Sequence, residues 1–284
     1  MRNIISRNAH QALAESCYQV HQFGVDNAMG GKTLPIPSST LLVSPLERVA
    51  LYPELDQFAT LLTAARAMAE NRLPHLGHSA DALKRDPTVR ATLHAGECDQ
   101  LGVAHVQVDM DGKVQMLASC TDSDVALEYV DMVYLSMALE YIANVCGREP
   151  GALWITTLSP QFTSSAADAV ASIAKSAPQP PAPYDDPYSS NSIHNTIPLM
   201  SIQRGRWDRE LRQFFDGAFD QVDYVDPFIQ RVLAPAHRAY NLRLDGAPEA
   251  QVQRACGEIA SQDWMQACLL TTSTRTTSCT PPSE

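Results

Sequence analysis

Positive charge is what this 284-residue chain has least to spare: 21 Lys and Arg face 32 Asp and Glu, a net charge of −11. No cationic surplus is left to neutralise a phosphate backbone, which excludes direct, non-specific nucleic-acid binding. A local cationic pocket for one nucleotide phosphate is still allowed. No apolar run reaches the ~18 residues of a membrane span. The N-terminal MRNIISRNAHQALAESC has no apolar stretch of about 7–15 residues, so no secretory leader is expected and a cytoplasmic place of work is. CxxC pairs are missing as well. The seven cysteines (Cys17, Cys98, Cys120, Cys146, Cys256, Cys268 and Cys279) are scattered and odd in number, which reads as reduced thiols instead of a disulfide framework. There is no internal repeat and no GxxxxGK[ST] phosphate loop.

What remains is an ordinary globular composition, 45% hydrophobic and 19% charged, enough for one large domain with an appendage. Helical spacing of Ala9, Leu13, Cys17, Val20 and Phe23 predicts a helix over 7–24, and DNAMGGKTLP (26–35) reads as a Gly-rich loop. A strand is expected near 40–49, a helix over 54–70 and a short helix over 80–85 that stops at Asp86-Pro87. Strands follow at 89–95, 103–110 and 113–120, the last two joined by the Asp111-Gly112 turn. The helix predicted over 132–146 is apolar nearly all round and should be buried, with Gly147 as its stop. Trp154–Leu158 reads as a core strand. SAPQPPAPYDDPYSSNS (176–192) is a Pro/Ser linker. Helices are expected near 206–218, 226–242, 247–258 and 261–270, and then a disordered tail. The fold class is α+β, divided as an α+β domain over 1–172, a linker over 173–205, a helical module over 206–272 and a tail over 273–284.

Three colinear segments carry a family likeness. They are SPLERVALYPELDQFATLLTAARAMA (44–69), DPTVRATLHAGE (86–97) and DGKVQMLASCTDSDVALEYVDMVYLSMALEYIANVCGREPGALWITTLSPQFT (111–163). They resemble thymidylate synthases and the related pyrimidine deoxynucleotide hydroxymethyltransferases, particularly bacteriophage-type members. DPFIQRVLAPAHRAYNLRL and ASQDWMQACLL resemble a C-terminal extension of some phage relatives. The resemblance implies a mixed sheet with a buried central helix, a helical extension, and two-fold dimers that pack sheet on sheet.

The family's reaction also sets expectations. A cysteine thiolate attacks the pyrimidine, a helix glutamate manages proton transfer, and methylenetetrahydrofolate supplies the one-carbon unit. By resemblance the glutamate position falls at Thr63. The Arg-Ser-x-Asp loop becomes Thr121-Asp122-Ser123-Asp124, keeping only Asp124 as a substrate contact. The sugar-binding Asp-x-His-x-Tyr becomes Ser159-Pro160-Gln161-Phe162-Thr163. The nucleophile would sit at Asp99, Gln100, Leu101 or Gly102, and Cys98 is the nearest thiol. Its neighbours Glu97 and Asp99 oppose thiolate formation, so a passive loop cysteine is the alternative. Arg90 is the retained phosphate arginine, expected to reach across a dimer interface, or else a surface ion-pair residue. Asp131 holds the base-reading place, where a carboxylate would accept from a cytosine amino group; alternatively it caps the 132–146 helix. Lys32 after Gly30-Gly31 is a second candidate anion contact, or simply a loop lysine. His94, Glu97, Cys98 and His105 match no metal-ligand spacing, and no metal is expected.

Three functions follow from these readings. The first is a catalytically impaired family member that binds dUMP or dCMP as a homodimer or beside an active paralogue, in host cytoplasm if phage-encoded. The second is an active folate-dependent methyl- or hydroxymethyltransferase. The third is a non-catalytic assembly module, for which the aromatic cluster from Trp207 to Phe228 offers a face.

Overall fold

The computed structural model describes residues 2–43, 45–46, 52, 54–94, 101–177, 197–219 and 223–275. Cys98, the core of the Pro/Ser stretch and the tail from 276 lie outside the described residues. The chain divides into two units: Met1–Arg48 with Thr63–Ala182, and Val49–Leu62 with Pro183–Glu284. The sequence places the whole helix over 54–70 with the α+β region, whereas the structure groups its first residues with the helical unit.

Alternation along the strands builds the first unit. The strands are β1 (Arg2–Ser6), β2 (Val25–Asp26), β3 (Lys32–Thr33), β4 (Ser38–Leu42), β5 (Ala91–His94), β6 (Leu101–Val108), β7 (Val114–Asp124) and β8 (Pro150–Phe162). Their order across the sheet is β1-β4-β8-β7-β6-β5, and the small β2–β3 hairpin joins through β3 to the end of β8. β1 pairs with β4 and β7 with β8 in parallel; the other pairs are antiparallel. One row of register partners runs Ile4, Thr40, Ile155, Ala118, Ala104, Leu93, none more than 6% exposed. The neighbouring row runs Ile5, Leu41, Trp154, Leu117, His105, Thr92 on the opposite face, with Ile5 76%, Leu117 47% and Trp154 42% exposed. Because side chains alternate between faces, a one-residue step crosses from core to surface. The sheet is therefore covered on one face and open on the other.

Helices α1 (Ala9–Phe23), α4 (Val125–Cys146) and α5 (Ala167–Ala174) lie on the covered face, with α3 (Leu73–Arg85) against α4 and β5. Asn8 caps α1 by accepting from the Gln11 amide at 3.1 Å. Every residue from 132 to 143 of α4 is buried, as its apolar circumference requires, and Gly147 (φ 66°) ends it in the left-handed region. Its start differs from expectation. α4 begins at Val125, directly after β7, and the predicted acidic loop at Thr121–Asp124 is strand instead.

The helices expected over 54–70 and 80–85 form one continuous run: α2 (Gln57–Ala67), a π turn (Met68–Arg72) and α3. Pro74, two residues past the π turn, has no N–H to give the preceding turn and its ring crowds that turn's carbonyl. Widening to π spacing moves the carbonyl aside and lets the helix continue. The same device recurs in the second unit, where the π turn Ile229–Leu233 ends two residues before Pro235.

That second unit holds α6 (Arg204–Phe215), α7 (Ala234–Leu244), α8 (Glu249–Cys256) and α9 (Gln262–Arg275). Its aromatics serve its own core: Phe214 packs edge-on against Phe215, Phe219 and Tyr224, and Trp264 against Phe58 and Phe228. Trp207 is fully buried. Asp226 accepts from the Phe228 and Ile229 amides, capping the helix that Pro227 opens.

Leu139, 0% exposed in the middle of α4, measures how much the fold leans on this helix. Leu139→Ala is expected to lower unfolding free energy by about 2–5 kcal/mol through lost burial and a residual cavity, read by urea denaturation. A loss within ~0.5 kcal/mol, as at a surface site, contradicts the enclosed helix.

Candidate functional site

Toward the N-terminal half of α4 the covered face changes from apolar to polar. The register row Ser38, Thr157, Cys120 lies beneath Glu128 of α4 and near Ser16 and Cys17 of α1. Thr157 donates to Glu128 Oε1 at 3.4 Å. Glu128, Ser38 and Cys120 are at most 2% exposed, Ser16 3%. Ser38 Oγ and Thr40 Oγ1 are buried and have no hydrogen-bond partner among the described residues, and the Ser16 hydroxyl faces the Glu128 carboxyl. Such orphaned atoms cost free energy unless water or a ligand satisfies them.

Burial and then the carboxylate of Asp131, one turn along α4, push the Glu128 carboxyl from its ordinary 4.5 up to about 7, and the Thr157 and Ser16 hydroxyls oppose the shift. The Cys120 thiol is pushed up by burial, Asp131 and Glu128. The Cys17 thiol is pushed up by burial, Glu128 and Asp124. Near neutral pH the cluster therefore holds two protonated, poorly nucleophilic thiols. It also holds one carboxyl poised to give or take a proton.

The structure brings some predicted residues into this region and leaves others apart. Asp124 ends β7 opposite Gln161, so the altered Thr121–Asp124 and Ser159–Thr163 segments lie side by side in parallel register. Asp131 is half-buried inside α4. Its capping role is corrected: Asp124, not Asp131, immediately precedes the first helical residue, because the apolar surface starts earlier than 132. Lys32 sits on β3 beside the end of β8, and its Nζ donates to the His21 carbonyl at 2.7 Å, at the end of α1. Gly31 is pressed so close to β8 that a Cβ would overlap the Phe162 carbonyl, and Asn27 ties the loop by accepting from the Met29 and Gly31 amides. Arg90 is exposed before β5 and donates from Nε to Gln107 at 3.2 Å. It lines an open depression of about 560 Å³ with Pro87, Thr88, Asp109 and Met110. Thr63 is on the exposed side of α2. Cys98 lies outside the described residues, and no metal-ligand cluster occurs among the described ones.

Sequence reasoning missed Glu128. The available signal was its charge within VALEYVDMVYLSMALEYIANVC, since a carboxylate on an enclosed, largely apolar helix needs a reason.

No protein-family model matches the chain. The deoxyuridylate hydroxymethyltransferase of Pseudomonas phage M6 is 24% identical over an alignment of 326 positions that covers 94% of this chain and 92% of that protein. The chain is thus similar to a phage-type relative of the thymidylate synthases and has diverged far from it. Its α+β fold, a mixed sheet around a buried central helix with a helical unit following, is of the thymidylate synthase type. None of the described helices is long and apolar enough to cross a membrane.

The raised Glu128 fixes a pH dependence. The unfolded carboxyl ionises near 4.5 and the folded one near 7, so between those values the folded state binds more protons. Stability from this group is complete below about pH 4.5 and is lost as pH rises through about 7, a total on the order of 3 kcal/mol. Glu128→Gln keeps the shape and removes the titration. Urea denaturation at pH 5 and pH 8 should show a smaller fall for the variant than for the parent; equal falls rule out Glu128 as the titrating group.

Proposed function

We propose that this chain binds a pyrimidine deoxynucleotide, dUMP or dCMP, and serves pyrimidine C5 modification as a catalytically impaired, nucleotide-binding subunit. The observation that carries the reading is the polar end of the covered face, where a near-neutral carboxyl and unpartnered hydroxyls surround two protonated thiols. A carboxyl in its neutral form both donates and accepts a hydrogen bond, as an asparagine does. Glu128 and Asp131 together can therefore meet a pyrimidine edge. The same surroundings disfavour a thiolate, and Thr63, Thr121 and Ser159–Thr163 replace the groups that the family resemblance assigns to proton transfer, phosphate and sugar. Each such loss removes interactions worth several kcal/mol, on the order expected for charged hydrogen bonds and transition-state contacts. Lys32, Asp124 and Arg90 are the remaining substrate contacts in this proposal, with Arg90 supplying phosphate charge. The place of work is the cytoplasm of the host cell.

An active enzyme is the second reading, favoured by the likeness of nearly the whole chain to the phage M6 deoxyuridylate hydroxymethyltransferase. There Cys98 would be the nucleophile, and methylenetetrahydrofolate would bring the one-carbon unit. The depression beside Arg90 offers no aromatic face for a pterin ring, so it does not fit the folate, and no step is assigned through that group.

The open sheet face supports a dimer. Ile5, Leu117, Trp154 and Leu158 (51% exposed) make an apolar surface of a kind that soluble chains cover. A second copy, or an active paralogue, would cover it. Arg90 and its partner Gln107 belong to that same face by register, which puts the arginine where a partner's nucleotide could be reached.

Titration calorimetry with dUMP and dCMP is expected to give saturable binding of at least one. No heat from either removes the nucleotide reading and leaves an assembly module. Tritium release from 5-³H-labelled nucleotide with methylenetetrahydrofolate is expected to stay at the background rate. Release abolished by Cys98→Ser would establish the active enzyme instead. In a separate measurement, light scattering should find a dimer that Leu117→Asp converts to monomer; a monomeric parent chain discards the sheet-face interface.

A further inference from the structure

The helical unit contains a second cluster of reactive groups that the nucleotide reading does not use. Cys256 closes α8 and Cys268 lies in the middle of α9, with their Sγ atoms 2.8 Å apart. Both are buried, at 0% and 2% exposure. A disulfide needs its sulfurs at ~2.05 Å, so the bond requires a short further approach of the two sulfurs. Arg243, at the end of α7, completes the cluster. Its side chain is only 9% exposed, Nη2 pairs with Asp56 at 2.7 Å, and the guanidinium stands over the Tyr240 ring. Nε and Nη1 are buried without a hydrogen-bond partner among the described residues. The charge of Arg243 acts on both thiols. A cation buried with two donors unspent is stabilised by an anion beside it, and a thiolate is the anion this cluster can form.

We propose that Cys256 and Cys268 are a redox-active dithiol that oxidises to a disulfide linking α8 to α9, with Arg243 holding the attacking thiolate. The Arg243 charge favours the thiolate form of either sulfur and burial opposes it. One thiol attacks and the other resolves; with Cys256 as the attacker the step balances, and it balances equally with the roles exchanged. A small oxidant such as hydrogen peroxide suits a buried pair. The Cys256 thiolate attacks one peroxide oxygen, the O–O bond breaks, and the departing hydroxide takes a proton to become water. The sulfur is then a sulfenic acid. Cys268 attacks that sulfur, the S–S bond forms, and a second hydroxide leaves and takes the Cys268 proton. Two thiols are oxidised, one peroxide is reduced, and two waters result. A dithiol reductant reverses the change by exchange.

The test uses the full chain, reduced and then exposed to hydrogen peroxide. Non-reducing peptide mapping is expected to find Cys256 joined to Cys268, with the intact mass lower by two hydrogens and restored by dithiothreitol. Arg243→Met should slow closure by about tenfold, from the lost thiolate stabilisation, and Arg243→Lys should recover most of it. The proposal is overturned if both cysteines remain free and alkylatable at a peroxide dose that oxidises other residues of the same chain. It is equally overturned if the linkage found joins other cysteines. Closure at parental rate in a folded Arg243→Met protein removes the arginine's role.

Discussion

A single sheet covered on one face and closed over a largely apolar, buried helix is the constraint from which the first unit is built. α4 connects the parallel strands β7 and β8, so its backbone is tied to the centre of the sheet at both ends. Its residues from 132 to 143 can be satisfied only by enclosure. α1 and α5 lie over the same face and α3 flanks α4. The opposite face carries the exposed Ile5, Leu117 and Trp154. An antiparallel region can tolerate such exposure where its outward residues are polar. Here the outward row includes Ile5, Leu117 and Trp154, so the same constraint that builds the core leaves a surface fit for a partner.

The candidate site is a consequence of where that apolar cover stops. One register row is aliphatic and small; two residues along each strand, the row becomes Ser38, Thr157 and Cys120. Glu128 then projects from the enclosed helix into this row, and burial moves its proton affinity into the neutral range. Buried polar atoms without partners are expensive, and a chain keeps them where something binds or where evolution has altered a binding site. The chemistry that results is proton exchange and hydrogen bonding, not thiolate attack, because burial and neighbouring carboxylates act together on both nearby thiols. The second unit shows the opposite electrostatic choice. There the charge of a buried arginine acts on the thiol pair against the effect of burial.

Several elements were legible from residue order alone. The spacing of α1, the apolar circumference of α4, the Asp111-Gly112 turn (Gly112 φ 81°) and the Gly147 stop are local facts of backbone and side chain. Others were not. Separate helices were expected over 54–70 and 80–85, yet a π turn carries the chain through Pro74, because tertiary burial of Met68 and Leu73 outweighs the missing hydrogen bond. The loop read at Thr121–Asp124 is strand because β8 lies alongside to pair with it, a partner more than thirty residues away. Of the proposed site residues, Asp124 and Asp131 fall within the polar cluster, Lys32 borders β8 and Arg90 lies on the open face.

Sequence by itself determined the α+β class, the buried helix and the likeness to the thymidylate synthase family, since each of these is written in local periodicity or residue identity. Tertiary structure alone decided that Glu128, Thr157, Ser38 and Cys120 share one enclosed row, that one sheet face is left open, and that Cys256, Cys268 and Arg243 meet. Those outcomes depend on strand register and helix packing between segments distant in the chain. A shift of one residue in that register would send the same side chains to the opposite face.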